Sequence, residues 1–344
     1  MENTTIFLGC YTRNKNQSKG IYALKQMGTK IDTIAHTHHE VNNPTYLLKN
    51  NEFIYTIESN DDKSGGVAVY SYQDGTFTFL DKMIQEFAGP CHIDIDKTQK
   101  YLLTSHYHAG KLELHEIKNG KIISLKQIIN HKKYEDEHMP KSHVHFAQFT
   151  KDNQYIVTCD LGLNRVFVYP FNQKDGEIDE TSMVYYQLPV GKGPRHFVFN
   201  ENEDKIYVIN ELSGSLLTFS FFQGKLTLLD EHFPEVLQAH TTTGDGGAIR
   251  LHPNGKYLYT SLRSSLNMII CYQLDKQGMP QQIAEVSTNG DHPRDFNITK
   301  DGKYLFVANQ NTDDIFTFAI HEDGTLTDLH ERFNVPSPVC LVVE

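Results

Sequence analysis

Five side chains in this sequence are of the kinds that move protons and hold anions: His145, Arg195, Glu211, Arg263 and Arg294. Arginine offers a flat fork of donors that fits a carboxylate or a phosphate. Histidine exchanges a proton near neutral pH, and glutamate can orient it or take over its task. Together they suit a reaction on an anionic substrate in which a water is activated and negative charge develops on an oxygen. His92, His106 and Gln310 are further candidates to contact that substrate. Other chemistries have less behind them. There is no Gly-x-Ser-x-Gly elbow, and no cysteine has a motif context for a nucleophile, so a covalent route has no support. Gly244-Asp245-Gly246-Gly247 lacks the strand-to-helix setting of a phosphate loop. His143 and His145 share one face of an extended segment, as a metal pair would. The chemistry requires no metal or organic cofactor, and none is expected. His36-Thr37-His38-His39 reads as solvated loop.

A repeat brings these residues together. Gly193-Pro194-Arg195-His196, followed by Lys205-Ile206-Tyr207-Val208-Ile209-Asn210-Glu211, returns as Pro293-Arg294-Asp295, followed by Lys303-Tyr304-Leu305-Phe306-Val307-Ala308-Asn309-Gln310. The position of Pro194 recurs at 90, 144, 194, 246 and 293, an interval of roughly 50 residues built from short alternating strands. Turn pairs such as Asp74-Gly75, Asn119-Gly120 and Asp323-Gly324 close an outer hairpin in each copy. This is the pattern of a β-propeller with one four-stranded blade per repeat. Six copies are countable. The seventh is assembled from both ends, with 337–343 as its inner strand and 6–11 and 20–24 beside it, so that no open edge remains. The expected fold is therefore all-β, a single seven-bladed domain over 1–344.

In such a blade the start of the first strand and the end of the second meet at one rim of the central channel. Residues required by every blade repeat there, as the Pro, Gly and Tyr types do. His145, Arg195, Glu211, Arg263 and Arg294 share no single identity, yet all map to that rim, which marks a site. The rest of the chain is acidic: 32 Lys and Arg against 43 Asp and Glu give a net charge of −11. That balance argues against a nucleic-acid coat or a membrane-surface binder, and no apolar run is long enough for a membrane span. Three rim arginines in an acidic protein make a local funnel for a small anion. Five well-separated cysteines without a Cys-x-x-Cys pair, and a start without a signal-peptide pattern, lead to the expectation of a cytoplasmic protein, monomeric or homodimeric. The segment 131–145, where the repeat is longest, is expected to fold over the channel as a lid.

Gly193-Pro194-Arg195-His196, Ile209-Asn210-Glu211-Leu212, His252-Pro253-Asn254-Gly255-Lys256-Tyr257 with Ser261-Leu262-Arg263, and Val307-Ala308-Asn309-Gln310 resemble the propeller-type lactonase family. The resemblance runs from Gly9-Cys10-Tyr11-Thr12 to Pro338-Val339-Cys340. That family includes 6-phosphogluconolactonases and a fungal carboxy-muconate cycloisomerase. The likeness implies a seven-bladed propeller whose active site occupies one channel mouth and uses His145, Arg195, Glu211 and Arg263. Leu262 and Ala248 depart from the family pattern beside Arg263. The resulting expectation is hydrolysis of 6-phospho-D-glucono-1,5-lactone in the oxidative pentose phosphate pathway. In it, His145 is the base, Glu211 orients it or shares that role, Arg195 stabilises the oxyanion, and Arg263 and Arg294 anchor the anion. Cycloisomerisation of a carboxylated muconate and a non-catalytic propeller that binds an anionic metabolite or a protein stay open as alternatives.

Overall fold

The computed structural model describes residues 4–13, 18–37, 41–137, 140–239 and 244–344; His38 and His39 lie outside the described residues. Each copy of the repeat is an antiparallel sheet, and there are seven. Apolar β-branched and aromatic residues fill the second and third strands, which are mostly buried; Lys205–Asn210 and Leu216–Phe222 are examples. Outer strands such as Lys225–His232 alternate between half-buried and exposed, as an edge facing solvent on one side requires. Pro338–Val343 pairs with Thr4–Cys10, which continues into Ile21–Met27 and Lys30–His36, so the two ends of the chain close one blade. In the fourth blade the outer edge is split into Glu177–Ile178 and Val184–Gln187, both paired to Arg165–Asn172.

Apolar clusters lie between neighbouring blades; one joins Phe146, Val157 and Val166 to Phe197, Val208 and Phe219. The blades are also keyed to one another at the periphery. The outer hairpin glycines Gly120, Gly176, Gly224 and Gly324 have left-handed backbones, with φ between 64° and 81°. Each lies against an aromatic ring that opens the second strand of the preceding blade. A Cβ on Gly224 would be 2.5 Å from Cε1 of Tyr155, and one on Gly176 would be 2.3 Å from Cε1 of Tyr101. Glycine is needed there both for the turn and for the space.

The inner strands carry an irregularity that positions side chains. Val144 pairs with Asp160 and Phe146 with Cys159, which leaves His145 as an extra residue outside the ladder. Arg195 is displaced between Pro194 and His196, and Arg294 between Pro293 and Asp295. The closing blade does the same at Val339. A β-bulge bends the strand and re-aims its extra side chain, here toward the channel mouth.

Candidate active site

The bulge residues His145, Arg195 and Arg294 and the residues that open the other inner strands meet at the mouth. Thr45, Cys91, His145, Arg195 and Arg294 line one cleft of about 230 Å³ at the channel mouth, together with Tyr11, Arg13, Asn43, Tyr107, His108, Glu211 and Arg263. The next residue of each inner strand forms a layer below. There His92 packs on Phe146 at 3.8 Å between ring centroids, Phe146 on His196 at 4.8 Å, and Tyr46 on His92 at 4.5 Å. Asp295 of the same layer pairs at 2.6 Å with Arg250, which lies further along its inner strand. The cleft is a cup with a filled floor.

Glu211 is the electrostatic centre. Its Oε2 accepts from Arg195 Nε at 2.8 Å and lies 3.0 Å from Arg263 Nη2. Arg263 Nη2 also meets Asp245 Oδ1 at 2.5 Å. Arg195 is only 2% exposed, and its Nη1 donates to the Gly247 carbonyl at 2.8 Å. Burial, then the nearby Arg263, brings the Arg195 guanidinium down to about 10, with Glu211 opposing the fall. Gly247 leaves room for this packing: a Cβ there would lie 2.3 Å from Ser261 Oγ and 3.3 Å from Arg263 Cγ.

His145 is buried, edge-on to His196 at 5.1 Å and to Tyr107 at 5.7 Å. Its Nδ1 is sealed from solvent and has no hydrogen-bond partner among the described residues. Burial, then the charges of Arg195, Arg294 and Arg263, hold the imidazole well below its usual range, so it is neutral at physiological pH. A neutral imidazole can accept a proton, and with Nδ1 sealed the nitrogen that would meet a water in the cleft is Nε2. The segment that carries it is fixed by Asp160, which accepts from His143 N at 2.9 Å and Ser142 Oγ at 2.6 Å and pairs with buried His131 at 2.9 Å. His143 then stacks on Tyr107 at 4.2 Å and bonds its carbonyl through Nδ1 at 3.0 Å. Cys91 also lines the cleft, but burial pushes its thiol up to about 12, which makes it a poor nucleophile.

The structure brings His145, Arg195, Glu211, Arg263 and Arg294 together, and it separates three other expected contacts from them. His92 lies in the layer below and does not line the cleft. His106 ends its strand one residue before Tyr107. Side chains alternate, so His106 turns with Thr104 into the blade interior, where its Nε2 lies 3.3 Å from Glu113. Gln310 bonds His292 through its main chain, and its side chain stays outside the cleft lining. Glu211 is bound through Oε2 to the two guanidiniums, and no hydrogen bond joins it to His145 among the described residues. The described residues of 131–145 make no lid: only His145 among them lines the cleft, and His131 packs into the fourth blade against Phe167 and Tyr169. Residues 138–139 lie outside the described part. Leu262 and Ala248 are buried behind the cleft wall. Arg13, Tyr11 and Asn43 were not among the expected contacts. Gly9-Cys10-Tyr11-Thr12 carried a signal only as a motif, without pointing to the mouth.

A larger cavity of about 610 Å³ opens at the opposite end of the inner strands. At its rim the Glu203 carboxylate accepts from the Lys151 main-chain N–H at 2.8 Å, and Lys151 Nζ donates to the Glu201 main-chain carbonyl at 2.7 Å. It holds none of His145, Arg195, Glu211, Arg263 and Arg294.

The family model described as "Lactonase, 7-bladed beta-propeller" matches residues 5–343. The chain belongs to this lactonase family. A protein of Bacillus subtilis named 6-phosphogluconolactonase is 30% identical over 348 residues, covering 97% of both chains. A crystal structure of a putative 6-phosphogluconolactonase from Bacteroides fragilis superposes with a TM-score of 0.86 at 27% identity, covering 99% of this chain and 98% of the other. The periplasmic gluconolactonase of Pseudomonas aeruginosa has the same fold, with a TM-score of 0.90 at 23% identity and 99% of both chains covered. This lactonase is thus a lactone hydrolase by family. Among its described residues no helix is long and apolar enough to cross a membrane.

Proposed function

We propose that this lactonase hydrolyses 6-phospho-D-glucono-1,5-lactone to 6-phosphogluconate in the oxidative pentose phosphate pathway. The observation that carries the reading is the convergence of His145, Arg195, Glu211, Arg263 and Arg294 on one cleft. Water adds to the lactone carbonyl as its proton passes to neutral His145. The negative charge that develops on the carbonyl oxygen meets Arg195, whose Nη2 has no protein partner among the described residues. Glu211 holds Arg195 and Arg263 in place and is the second group able to take the proton. Collapse of the tetrahedral adduct breaks the ring C–O bond, and the proton returns to the departing alkoxide. The substrate's charge is drawn in by the cationic mouth of an otherwise acidic protein. A cytoplasmic setting is supported by five cysteines that are all unpaired.

The test is the rate of lactone opening at neutral pH above the spontaneous background, for the wild type beside Arg195→Ala and His145→Ala. Acceleration that both substitutions abolish in folded variants supports the reading. No acceleration by the wild type overturns the substrate, and turnover of a carboxylated muconate lactone instead would assign the same mouth to cycloisomerase chemistry.

A further inference from the structure

The cationic charge of the cleft is divided unevenly. Arg195 and Arg263 are bound to Glu211 and Asp245. Arg13 and Arg294 line the same cleft, and among the described residues neither has a carboxylate partner. Both are held against one ring: the guanidinium carbon of Arg13 is 4.6 Å from the Tyr11 centroid and that of Arg294 is 5.8 Å away. Four cations against two carboxylates leave a surplus of two positive charges, and it falls on this pair. His108 adds no charge there, because burial, then His143 and Arg13, lowers its pKa.

The pair is positioned by the fold. Asn43, buried and in a left-handed conformation, accepts from Thr12 N and Arg13 N, each at 3.1 Å. Its own N–H is donated to Thr12 Oγ1 at 3.0 Å, and its Nδ2 to the Ser59 carbonyl at 2.8 Å. Tyr11 N donates to the Ser337 carbonyl at 3.1 Å. The end of the strand is thereby tied to the neighbouring blade on one side and to the C-terminal strand on the other. Arg294, a bulge residue, arrives from the last blade.

We propose that Arg13 and Arg294, aligned on Tyr11, clamp the phosphate of a phosphorylated lactone and so set the preference for phosphorylated over unphosphorylated substrate. The inference rests on the lactone-hydrolase reading above. It moves the anion anchor away from Arg263, whose charge is already matched inside the protein. A phosphate near neutral pH carries close to two negative charges, the number the clamp leaves unmatched. Two forks aimed at three equivalent oxygens give the bidentate contacts in which arginine surpasses lysine.

The experiment measures kcat/KM for 6-phosphogluconolactone and for glucono-1,5-lactone, and compares their ratio in the wild type, Arg13→Gln, Arg294→Gln and the double variant. Each lost charge-assisted contact is expected to lower that ratio by about 10- to 100-fold, mainly through KM. Arg13→Lys and Arg294→Lys should restore part of it. A ratio that stays at the wild-type value, or equal falls for both lactones, overturns the clamp while leaving the hydrolase reading intact. If the wild type opens neither lactone, the hydrolase reading has failed and calorimetric titration decides the clamp separately. Tighter binding of 6-phosphogluconate than of gluconate, lost in the double variant, supports the clamp. Equal binding of the two acids overturns it.

Discussion

Glu211→Gln keeps the shape of the side chain that ties the cleft together and removes its charge. In the native site, one carboxylate oxygen serves Arg195 at 2.8 Å and Arg263 at 3.0 Å. Hydrogen bonds to a charged group contribute about 1.5–3 kcal/mol, and neutral ones about 0.5–1.5 kcal/mol. The amide can still accept from the guanidiniums, but the ion pairs are lost and two largely buried cations face a neutral group; the expected loss is about 2–3 kcal/mol, below the roughly 3–5 kcal/mol typical of deleting one partner of a buried pair. With a urea m-value near 3 kcal/mol/M, the unfolding midpoint falls by about 0.7–1 M. Asp245→Asn removes a single ion pair, that to Arg263, while Ser264 keeps an acceptor, and should cost about half as much. Lactone opening by Glu211→Gln should fall by roughly 100-fold or more if the carboxylate shares the proton transfer, and less if it only holds Arg195. Equilibrium urea unfolding followed by circular dichroism, with turnover measured on the same preparations, gives both numbers. A Glu211→Gln protein that unfolds at the wild-type urea concentration would refute the claim that this carboxylate organises the site.

Acid should weaken the fold through the rings beneath the cleft. Burial first, then neighbouring arginines, hold His92, His145 and His196 well below their usual pKa of 6.5. The unfolded chain takes up those protons below pH 6.5 and the native one does not. Stability is therefore level above 6.5 and falls as the pH drops, by up to about 1.4 kcal/mol per pH unit for each ring. Urea midpoints measured between pH 7.5 and 5 should show this slope, and His92→Gln should flatten it. His106→Ala leaves Glu113, which is fully buried, short of a partner and should cost about 3–5 kcal/mol of stability. Raised KM at unchanged stability would instead return His106 to the substrate site. Gly224→Ala strains a left-handed turn and pushes into Tyr155; a loss of about 1–3 kcal/mol is expected. Adding Tyr155→Leu should recover the part due to the clash and leave the part due to the turn, both read as thermal unfolding shifts.

The ring was legible because the blade-to-blade contacts impose the same residues on each copy. Gly75, Gly120, Gly176, Gly224 and Gly324 occupy the outer hairpins their turn pairs announce, each with positive φ. The polar positions that vary between copies led to the cleft for the same reason, since the fold has no use for their differences. Two kinds of information were missing from the pattern. One is parity at a strand end: Tyr107 faces the mouth and His106 does not, a one-residue distinction that alignment alone leaves open. The other is how loops of different blades meet. Arg13 reaches the cleft because Asn43, in the next blade, captures its main chain, and neither residue belongs to the repeated part of its copy. The partners of Glu211 were hidden likewise, since its two guanidiniums come from different blades.

The bulges have a wider consequence. His145, Arg195 and Arg294 stand outside the hydrogen-bond ladders, so the sheets fold without regard to what is mounted there. The mouth is a set of sockets whose strand pairing does not depend on the side chain seated in them. Val339 is the bulge residue of the closing blade and takes no part in the proposed reaction. A carboxylate, a ring or another guanidinium could be seated at these positions while each blade keeps its strand pairing. Retargeting such an enzyme is then a matter of which blades are armed, and in what order around the ring.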